Sequence, residues 1–516
     1  EAGNSLAQTR YFVRSNSLDH SYSRMSERKD ADVPLVNNWI NGKWVPPSTN
    51  EYLDVISPST KKVIAKVALS GPEDVQAAVD VAKKAFEIWG SWPVKKRVVP
   101  IIKLHSLLID NYSKIIEIIM LEHGKNRAEA YGEIAKANET VEWAMSLPQL
   151  IQGRVLEVST GVECKEIRMP VGVCANIVPF NFPAMVPFWT LPICIACGNC
   201  YILKPSEKVP LTMQFIAGLI KEAGVPDGVF QIVNGAIPVV NALCDSPGID
   251  CVSFVGSSKV AEIVAKRCRA LNKRVLALGG AKNHLVSMPD CDIELAAQDI
   301  VNSYSGCSGQ RCMAASTLLT VGDQPDLLKA IVEKSKQLTP GCEARQLGPV
   351  IDQAAIDRIS MYIEKSVAEG ATLLLDGRSW MNNKNGYYIG ATIIQHTNPK
   401  DSALHVEIFG PVLSVLKVNS REEAVAFENA NPYGNAAAVY TTKGEHAQWF
   451  QTRFSAGMIG VNIGVPVPRE PFSFGGCNKS KFGDFDITGD GAMEFFTLRR
   501  KITTKWAAPK ERTWLN

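Results

Sequence analysis

The middle of the chain alternates between short apolar runs and longer segments with helical spacing. Five apolar runs each end at proline, glycine or asparagine–glycine: 171–178, 200–203, 230–233, 251–255 and 274–278. Helix-length segments separate these runs, and one of them, 211–223, ends at Gly224. Short strands that alternate with helices favour a doubly wound parallel sheet. Such sheets bind ligands at the carboxyl ends of their strands.

A second alternating region follows, from about residue 283 to residue 470. Helical segments such as 353–368 separate its strand candidates, which are 316–321, 371–375, 392–395, 412–418 and 437–440. The two regions together predict an α/β chain with two α/β domains.

The segments before and between these regions carry weaker patterns. Residues 37–45 contain Asn41-Gly42 between two short apolar runs, which predicts a hairpin. Ser70 and Glu73 have capping-box spacing, and helical patterns continue from there to about residue 148. Residues 157–167 alternate weakly, which is typical of an exposed β ribbon.

Residues 1–34 form a predicted N-terminal tail. This tail contains many serines and arginines, including Arg10, Arg14 and Arg24, but no apolar segment of a secretory signal. Mitochondrial transit peptides have such a composition, although acidic residues such as Glu1, Asp19 and Glu27 weaken the match. We therefore expect the mitochondrial matrix, while a native start at Met25 would give a cytoplasmic protein. Residues 507–516 are predicted to form a C-terminal tail.

The overall composition is that of a globular protein. Of 516 residues, 46% are apolar and 21% are charged, which excludes a disordered chain, a collagen-like fibre and a small disulfide scaffold. A net charge of +3 gives no reason to expect nucleic acid or an acidic membrane as a partner. No apolar run reaches the 18 or so residues of a membrane span. Many of the thirteen cysteines lie in apolar runs, which suits free thiols in a reducing compartment.

One cysteine cluster could be mistaken for a metal site. Cys194, Cys197 and Cys200 have the spacing of some iron–sulfur ligands, but the fourth Cys-Pro is missing and the run is apolar. His123 and His405 have no partner at ligand spacing. We therefore predict that the chain binds no metal.

Five segments have a specific resemblance in order and spacing. They are 179–183 (PFNFP), 203–207 (LKPSE), 253–257 (SFVGS), 308–314 (SGQRCMA) and 407–411 (EIFGP). Together they resemble the aldehyde dehydrogenase superfamily, and the resemblance extends over about residues 35–506. Three further segments are similar to its methylmalonate-semialdehyde dehydrogenase branch: 280–284 (GAKNH), 309–313 (GQRCM) and 463–468 (IGVPVP).

The resemblance implies an aldehyde dehydrogenase-like fold with three parts. A Rossmann-type NAD-binding domain would contain residues 35–151 and 171–282, and an α/β catalytic domain would contain residues 283–474. A small β oligomerisation arm would consist of residues 152–170 and a C-terminal strand at about 490–506. Because exposed ribbons pair across subunits, a homodimer or homotetramer is expected.

Cys312 is the candidate nucleophile. Its thiolate would add to an aldehyde, a hydride would leave to NAD, and the resulting thioester would pass its acyl group to a second nucleophile. The resemblance implies that the Asn181 amide and the Cys312 backbone N–H stabilise the oxyanion. From the residues alone, Cys312 could also be an apolar filler and Asn181 a turn residue.

The matching positions imply a set of cofactor residues for NAD. They are Phe180, Lys204, Glu207, Gly256, Ser257, Glu407 and Phe409. Glu207 would accept the ribose hydroxyls and repel a 2′-phosphate, which favours NAD over NADP. The glycine-rich turns do not spell G-x-G-x-x-G, so by themselves they are weak evidence for a dinucleotide.

A residue that is missing predicts the second half of the reaction. Hydrolytic members of the superfamily carry a glutamate base where this chain has Ala277 or Leu278. A thiol needs less help from a base than water does. We therefore expect coenzyme A as a co-substrate. A hydrolytic enzyme that makes a free acid such as succinate, and a catalytically idle scaffold, are the alternatives.

Cationic residues predict a carboxylated substrate. Arg311 adjoins Cys312, and the resembled branch pairs this arginine with the substrate carboxylate. The alternative for Arg311 is a structural ion pair. Lys136 stands where the branch has a second arginine, and Arg469 could supply another cation. The small-molecule substrate is therefore expected to be malonate, methylmalonate or succinate semialdehyde.

Overall fold

The structure is a computed structural model that describes residues 33–383 and 385–506. The C-terminal tail predicted at 507–516 lies outside the described residues, and so does the predicted N-terminal tail as far as residue 32. The mitochondrial location that we inferred from that tail therefore stays a prediction.

The N-terminal part contains five strands and five helices. The strands are β1 (Leu35–Val36), β2 (Asn38–Ile40), β3 (Lys43–Val45), β4 (Tyr52–Ile56) and β5 (Val63–Ala68). The helices are α1 (Pro72–Trp89), α2 (Val94–Asp110), α3 (Tyr112–His123), α4 (Arg127–Met145) and α5 (Leu147–Leu150). Strands β2 and β3 pair antiparallel, which confirms the predicted hairpin. The capping interaction lies one residue later than predicted, because Asp74 rather than Glu73 accepts the Gly71 N–H at 2.9 Å.

A β ribbon and the first large sheet follow. The ribbon consists of β6 (Arg154–Ser159) and β7 (Val162–Pro170). The sheet strands are β8 (Val173–Ile177), β9 (Cys200–Lys204), β10 (Phe230–Ile232), β11 (Cys251–Val255) and β12 (Arg274–Leu278). The helices between them are α6 (Met185–Ala196), α7 (Leu211–Glu222), α8 (Ile237–Asp245) and α9 (Ser258–Ala270). These five strands are parallel in the order β12-β11-β8-β9-β10, and β2 and β3 extend the sheet at one edge.

The second large sheet lies in the next part of the chain. Its strands are β13 (Asn283–Ser287), β14 (Ala315–Val321), β15 (Thr372–Leu375), β16 (Thr392–His396) and β17 (Val412–Val418), followed after the short β18 (Tyr433–Gly434) by β19 (Ala436–Tyr440) and β20 (Met458–Val461). The helices are α10 (Ile293–Ser305), α11 (Pro325–Lys336), α12 (Gln353–Ala368), α13 (Arg421–Asn429) and α14 (Gly444–Gln451). The strand order is β15-β16-β17-β14-β13-β19-β20, with β15 antiparallel to its neighbour.

The last part of the chain returns to the earlier elements. It contains β21 (Cys477–Asn478), β22 (Lys481–Gly483), α15 (Gly489–Phe495) and β23 (Thr497–Lys505). Strand β22 pairs antiparallel with β12 in the first large sheet, and β23 pairs with β7 to complete a three-stranded arm. The predicted C-terminal strand therefore starts at Thr497. Residues 489–495 are helical instead, because buried Ala492, Met493 and Phe495 recur at helical spacing.

The carboxyl ends of the parallel strands position the predicted site residues. Phe180 and Asn181 follow β8, Glu207 follows β9, and Gly256 follows β11. Adjacent parallel strands end at the same edge of a sheet, so these residues share one edge. Among the described residues, no helix has both the length and the apolar character needed to cross a membrane.

Candidate active site

A cavity of about 760 Å³ lies beside Cys312. Residues from both large α/β units line it, including Phe182 and Trp189 from the first unit and Arg311 and Cys312 from the second. The cavity therefore contains the predicted nucleophile together with apolar and charged side chains that can select a substrate.

The segment that precedes Cys312 has an unusual backbone. Cys307, Ser308 and Gly309 are consecutive residues with φ of +51°, +56° and +71°, which is the left-handed region. The Gln310 side chain stabilises this turn, since its Oε1 accepts the Ile351 N–H at 2.9 Å and its Nε2 donates to the Cys307 carbonyl at 3.2 Å. Backbone strain of this kind is typical of functional sites that surrounding contacts fix in place.

Two asparagines bind the backbone around the nucleophile. Asn283 Nδ2 donates to the carbonyl of Cys312 at 2.7 Å and to that of Ala314 at 3.0 Å. Asn181 Nδ2 donates to the Gln310 carbonyl at 2.9 Å. Because an amide nitrogen has two hydrogens, Asn181 keeps one for an oxyanion. The structure thus brings the side chain of Asn181 into contact with the loop that contains Cys312.

A buried ion pair fixes the loop of Asn181. The side chains of Lys125 and Glu133 are both fully buried and in contact. Lys125 Nζ also donates to the Asn181 backbone carbonyl at 2.6 Å. Glu133 Oε1 accepts the N–H groups of Ala184 and Met185, at 2.7 and 3.2 Å, where α6 begins. A carboxylate at a helix N-terminus is favourable, so the pair fixes both the loop and the helix that follows it.

The Cys312 thiol is protonated at neutral pH. Burial, followed by the negative charge of Glu407, raises the pKa of Cys312 to about 12. Arg311 opposes this effect but does not overcome it. Removing water from a thiolate and adding a nearby anion both disfavour the charged form. The free site thus favours the neutral thiol over the thiolate that the reaction needs.

Lys204 and Glu207 lie together at the end of β9. Lys204 Nζ is 2.9 Å from Glu207 Oε2. Burial acts against ionisation of Glu207, but the charge and hydrogen bond of Lys204 outweigh it and lower the pKa of Glu207. Glu207 is thus an ionised acceptor that remains partly exposed at the sheet edge, as a residue that binds ribose hydroxyls must be.

Three turns meet where the pyrophosphate and nicotinamide of a dinucleotide were predicted to bind. Ser257 is the N-cap of α9, and the next residue, Ser258, accepts the Gly280 N–H at 2.9 Å. Glu407 Oε1 accepts the Ala281 N–H at 3.1 Å. A Cβ on Gly280 would lie 2.3 Å from Glu407 Oε2, so only glycine allows this approach.

Aromatic rings border the same region. The rings of Phe180 and Phe409 meet edge to face with centroids 6.0 Å apart, and His123 stacks on Phe180 at 6.0 Å. Phe409 has a φ of +57°, which is rare for a residue with a side chain. Strain at Phe409 is consistent with a ring that must take a specific position beside a ligand.

Neither position 277 nor position 278, where the resemblance places the base of hydrolytic enzymes, has a carboxylate side chain. Ala277 and Leu278 are buried strand residues of β12, paired with Phe482 and Lys481 of β22. Lys282 follows β12 in the chain, and burial lowers the pKa of its ammonium group to about 7, although Glu407 opposes the shift. Within the described part of the chain, Lys282 Nζ has no hydrogen-bond partner.

All three predicted substrate cations line the cavity, and each has a carboxylate partner. The Arg311 guanidinium is 3.6 Å from Glu129 Oε1. Lys136 Nζ is 2.7 Å from Glu470 Oε2. Arg469 is 78% exposed and lies 3.3 Å from Glu139. The alternative that Arg311 takes part in a structural ion pair therefore holds in part, because Arg311 pairs with Glu129 and also lines the cavity.

The cysteines and histidines that we considered as metal ligands lie apart from this cavity. Cys194, Cys197 and Cys200 are buried in the apolar core, and burial raises the pKa of each thiol. His123 is also buried, and the loss of water lowers the pKa of its imidazole well below the ordinary value. Across residues 33–383 and 385–506, no group of three or more ligating side chains could bind a metal ion.

Several site residues were not predicted from the sequence. They are Lys125, Glu129, Glu133, Lys282 and Asn283. Lys282 and Asn283 lie within segment 280–284, which carried the resemblance, and their polar residue types there were the available signal. Lys125, Glu129 and Glu133 gave no local signal, since their roles depend on partners that are distant in the chain.

Comparisons with known proteins agree with this geometry. The model of the aldehyde dehydrogenase family matches residues 44–502. The malonate-semialdehyde dehydrogenase of Halalkalibacterium halodurans is 41% identical over 476 residues, which cover 91% of this chain and 98% of that protein. Malonate-semialdehyde dehydrogenase 2 of Geobacillus kaustophilus is 42% identical and covers 92% and 99% of the two chains.

Solved structures give a similar result. The crystal structure of methylmalonate-semialdehyde dehydrogenase from Oceanimonas doudoroffii matches with a TM-score of 0.91 at 37% identity, covering 92% of this chain and 99% of that one. A putative methylmalonate-semialdehyde dehydrogenase from Sinorhizobium meliloti, solved in complex with NAD, matches with a TM-score of 0.91 at 36% identity and the same coverage. Similarity therefore extends along nearly the whole of both chains.

Proposed function

This chain belongs to the aldehyde dehydrogenase family, and we propose that it oxidises malonate or methylmalonate semialdehyde with NAD and releases an acyl-CoA. The names of the relatives support the substrate class. The observation that carries the proposal is a half-buried Cys312 that shares its cavity with Arg311, while Ala277 and Leu278 stand where a hydrolytic base would be expected.

The chain's own residues account for the first half of the reaction. The Cys312 thiol first loses its proton to water, and the thiolate then bonds to the aldehyde carbon. The resulting oxyanion would accept hydrogen bonds from the Asn181 amide and the Cys312 N–H. NAD, when bound, supplies the hydride acceptor. Loss of hydride turns the adduct into a thioester on Cys312. Arg311 can bind the substrate carboxylate through charge-assisted hydrogen bonds while this happens.

The residues present fit NAD. Glu207 is an ionised carboxylate at the carboxyl end of β9, suited to two ribose hydroxyls. Ser257 and the first N–H groups of α9 are suited to the pyrophosphate, since helix N-termini attract anions. Glu407 and Phe409 are the residues that we propose for the ribose and the ring of the nicotinamide. The proposed NAD preference over NADP rests on the negative charge of Glu207.

The residues at positions 277 and 278, where a hydrolytic enzyme would carry its glutamate base, favour transfer of the acyl group from Cys312 to coenzyme A. Because Ala277 and Leu278 cannot accept a proton, water has no activating group at these positions. A thiol supplies its own thiolate at neutral pH more readily than water supplies hydroxide. One semialdehyde anion, one NAD⁺ and one CoA thiol then give one acyl-CoA, one NADH and one CO₂. The products would be acetyl-CoA or propionyl-CoA.

NADH formation with and without coenzyme A tests the proposal. Malonate, methylmalonate and succinate semialdehydes serve as substrates, and acyl-CoA and CO₂ are measured beside NADH. We expect turnover to require coenzyme A and the two 3-oxo acids to be preferred. Equal turnover without coenzyme A, or a preference for succinate semialdehyde, would contradict it.

One observation favours the hydrolytic alternative. Glu129 lines the same cavity, and its Oε2 has no hydrogen-bond partner among the described residues. A carboxylate in that position could activate water in place of the missing glutamate. If turnover proves independent of coenzyme A, Glu129→Gln should then reduce it by about 100-fold or more. The idle-scaffold alternative has no comparable support, because the nucleophile and oxyanion donors are intact.

The three-stranded arm supports an oligomer. Strand β6 is an outer strand of this arm. At least half of the surface of each of its residues Val155, Leu156 and Val158 is exposed. An exposed apolar edge strand is suited to pairing with a second chain. We expect a homodimer or homotetramer, which light scattering would measure, and Leu156→Lys should shift it towards the monomer.

The mitochondrial matrix is the location that we propose for the full chain. The proposal depends on the arginine- and serine-rich composition of residues 1–34. Import of the full chain into isolated mitochondria, compared with a chain that starts at Met25, would test it. Equal behaviour of both chains would favour the cytoplasm.

A further inference from the structure

We propose that Glu470 is a positioning residue that forms an ion pair with Lys136 and thereby sets the preference of the site for carboxylated over uncharged aldehydes. As a result, Arg311 binds the carboxylate of the substrate without help from Lys136. This inference rests on the proposed function, because it concerns the recognition of a carboxylated aldehyde in the same cavity.

The side chain of Glu470 is fixed by contacts to both of its carboxylate oxygens. Glu470 Oε2 is 2.7 Å from Lys136 Nζ, and Glu470 Oε1 accepts the Thr140 hydroxyl at 3.1 Å. Only 6% of the Glu470 side chain and 15% of the Lys136 side chain are exposed. Both carboxylate oxygens thus have partners, and burial strengthens the attraction between the two charges.

A second carboxylate also faces Lys136. Glu139 Oε2 is 3.2 Å from Lys136 Nζ, and Glu139 Oε1 is 3.3 Å from Arg469. The two cations and two carboxylates of this group have no net charge. An incoming carboxylate would have to displace Glu470 from Lys136 and would meet the like charge of Glu139. Lys136 lines the cavity but offers little attraction to an anion.

Arg311 differs in this respect. Its guanidinium lies 3.6 Å from Glu129 Oε1, which is longer than a hydrogen bond. Arg311 can therefore bind a second carboxylate without losing a direct hydrogen bond to Glu129. The cavity has two cations of unequal availability, and Glu470 causes the inequality.

Because Lys136 is paired with Glu470, the preference of the cavity for carboxylated over uncharged aldehydes is weaker than two available cations would give. A charge-assisted pair contributes enough to change binding by about tenfold or more. If Glu470 releases Lys136, that contribution becomes available to carboxylated aldehydes and not to uncharged ones. The ratio of kcat/KM for malonate semialdehyde to kcat/KM for propanal, termed the carboxylate ratio, measures it directly.

The experiment compares the carboxylate ratio in the wild type, Glu470→Gln, Lys136→Met and the double variant, with saturating NAD and coenzyme A. We expect Glu470→Gln to raise the ratio about tenfold, through a lower KM for malonate semialdehyde with kcat little changed. Lys136→Met should change the ratio less than twofold, and the double variant should resemble Lys136→Met.

Glu262→Gln is the matched control, because Glu262 forms an exposed ion pair with Lys266 on α9, at 2.5 Å. It makes the same charge change and should leave the ratio unaltered. A merely structural role of Glu470 would change kcat/KM for both aldehydes alike and leave the ratio constant, which would overturn the proposal. A tenfold lower ratio in Lys136→Met would overturn it too, even if Glu470→Gln failed to fold. Absence of NADH formation with every aldehyde would instead contradict the proposed function.

Discussion

Asn181 Nδ2 donates a hydrogen bond to the Gln310 carbonyl at 2.9 Å, and so connects the end of β8 to the loop of the nucleophile. The two residues belong to different α/β units. This hydrogen bond therefore fixes the candidate oxyanion donor relative to Cys312 across the boundary between the two units.

Replacement of Asn181 by alanine should slow the chemical step. Loss of one oxyanion donor typically reduces kcat by about 100- to 1,000-fold. Lys125 binds the backbone carbonyl of residue 181, which alanine retains, so the loop should stay in place. Steady-state kinetics give kcat, and calorimetry with NAD should show nearly unchanged affinity. A reduction of kcat below tenfold would remove Asn181 from the oxyanion site.

Replacement of Cys312 by alanine should abolish NADH formation and leave NAD affinity nearly intact, because no other group can form the thioester. Cys477→Ala is the control, since Cys477 is an exposed thiol. That variant should retain full turnover. Measurable turnover in Cys312→Ala would exclude covalent catalysis at this position.

A methyl group at residue 306 should displace Arg311. A Cβ on Gly306 would lie 2.5 Å from three atoms of the Arg311 guanidinium. Because the guanidinium is the flexible end of its side chain, Gly306→Ala should affect the position of Arg311 more than it affects stability. We expect about a tenfold higher KM for malonate semialdehyde and little change for propanal, and the same result for Arg311→Leu, which removes the guanidinium altogether.

Gly132→Ala provides the control for Gly306→Ala. Gly132 lines the same cavity, but a Cβ there would have no neighbour within 4 Å among the described residues. Its KM values should match those of the wild type. If Gly306→Ala raised KM equally for both aldehydes, Arg311 would have no special role in recognising the carboxylate.

The reactivity of Cys312 should depend steeply on pH in the free enzyme. With a pKa of about 12, only about one thiol in 10,000 is ionised at pH 8, so alkylation by iodoacetamide should become about tenfold faster per pH unit from pH 7 to 10. Burial raises the pKa of Glu407 to about 7, so this carboxylate is largely charged above neutral pH and opposes the thiolate.

Glu407→Gln should therefore lower the pKa of Cys312 and speed its alkylation at pH 8. Peptide mass spectrometry would follow residue 312 separately from the other thiols. A rate plateau near pH 8 in the wild type, or slower alkylation in Glu407→Gln, would contradict the electrostatic account of the thiol.

Much of the fold could be predicted where a strand is a continuous apolar run. Strands β11, β12 and β17 and helix α12 begin and end where the pattern predicted. Strand β13 (Asn283–Ser287) was missed because three of its five residues are polar, although all are buried. Strand β20 was missed because Gly460 interrupts its apolar pattern. Tertiary contacts override local preference in both cases.

The sequence predicted which residues belong to the site, but it did not predict which of them form ion pairs with one another. The motifs located Cys312, Asn181 and the cofactor positions, because each lies in a short segment that carries the family resemblance. The partner of Lys136 is 334 residues away, so no local pattern could indicate that Glu470 neutralises it. Long-range ion pairs depend on the folded topology, which spacing along the chain does not contain.

The close approach of Gly309 to Gly410 has a consequence for protein engineering. A Cβ on Gly309 would lie 2.0 Å from the Gly410 carbonyl oxygen, so the two backbones touch. One glycine precedes the nucleophile by three residues, and the other follows Glu407 by three. In a chimaera with another member of the family, segments 306–313 and 407–411 should therefore be exchanged together. If only one of them were exchanged, the packing between the two backbones would be disrupted.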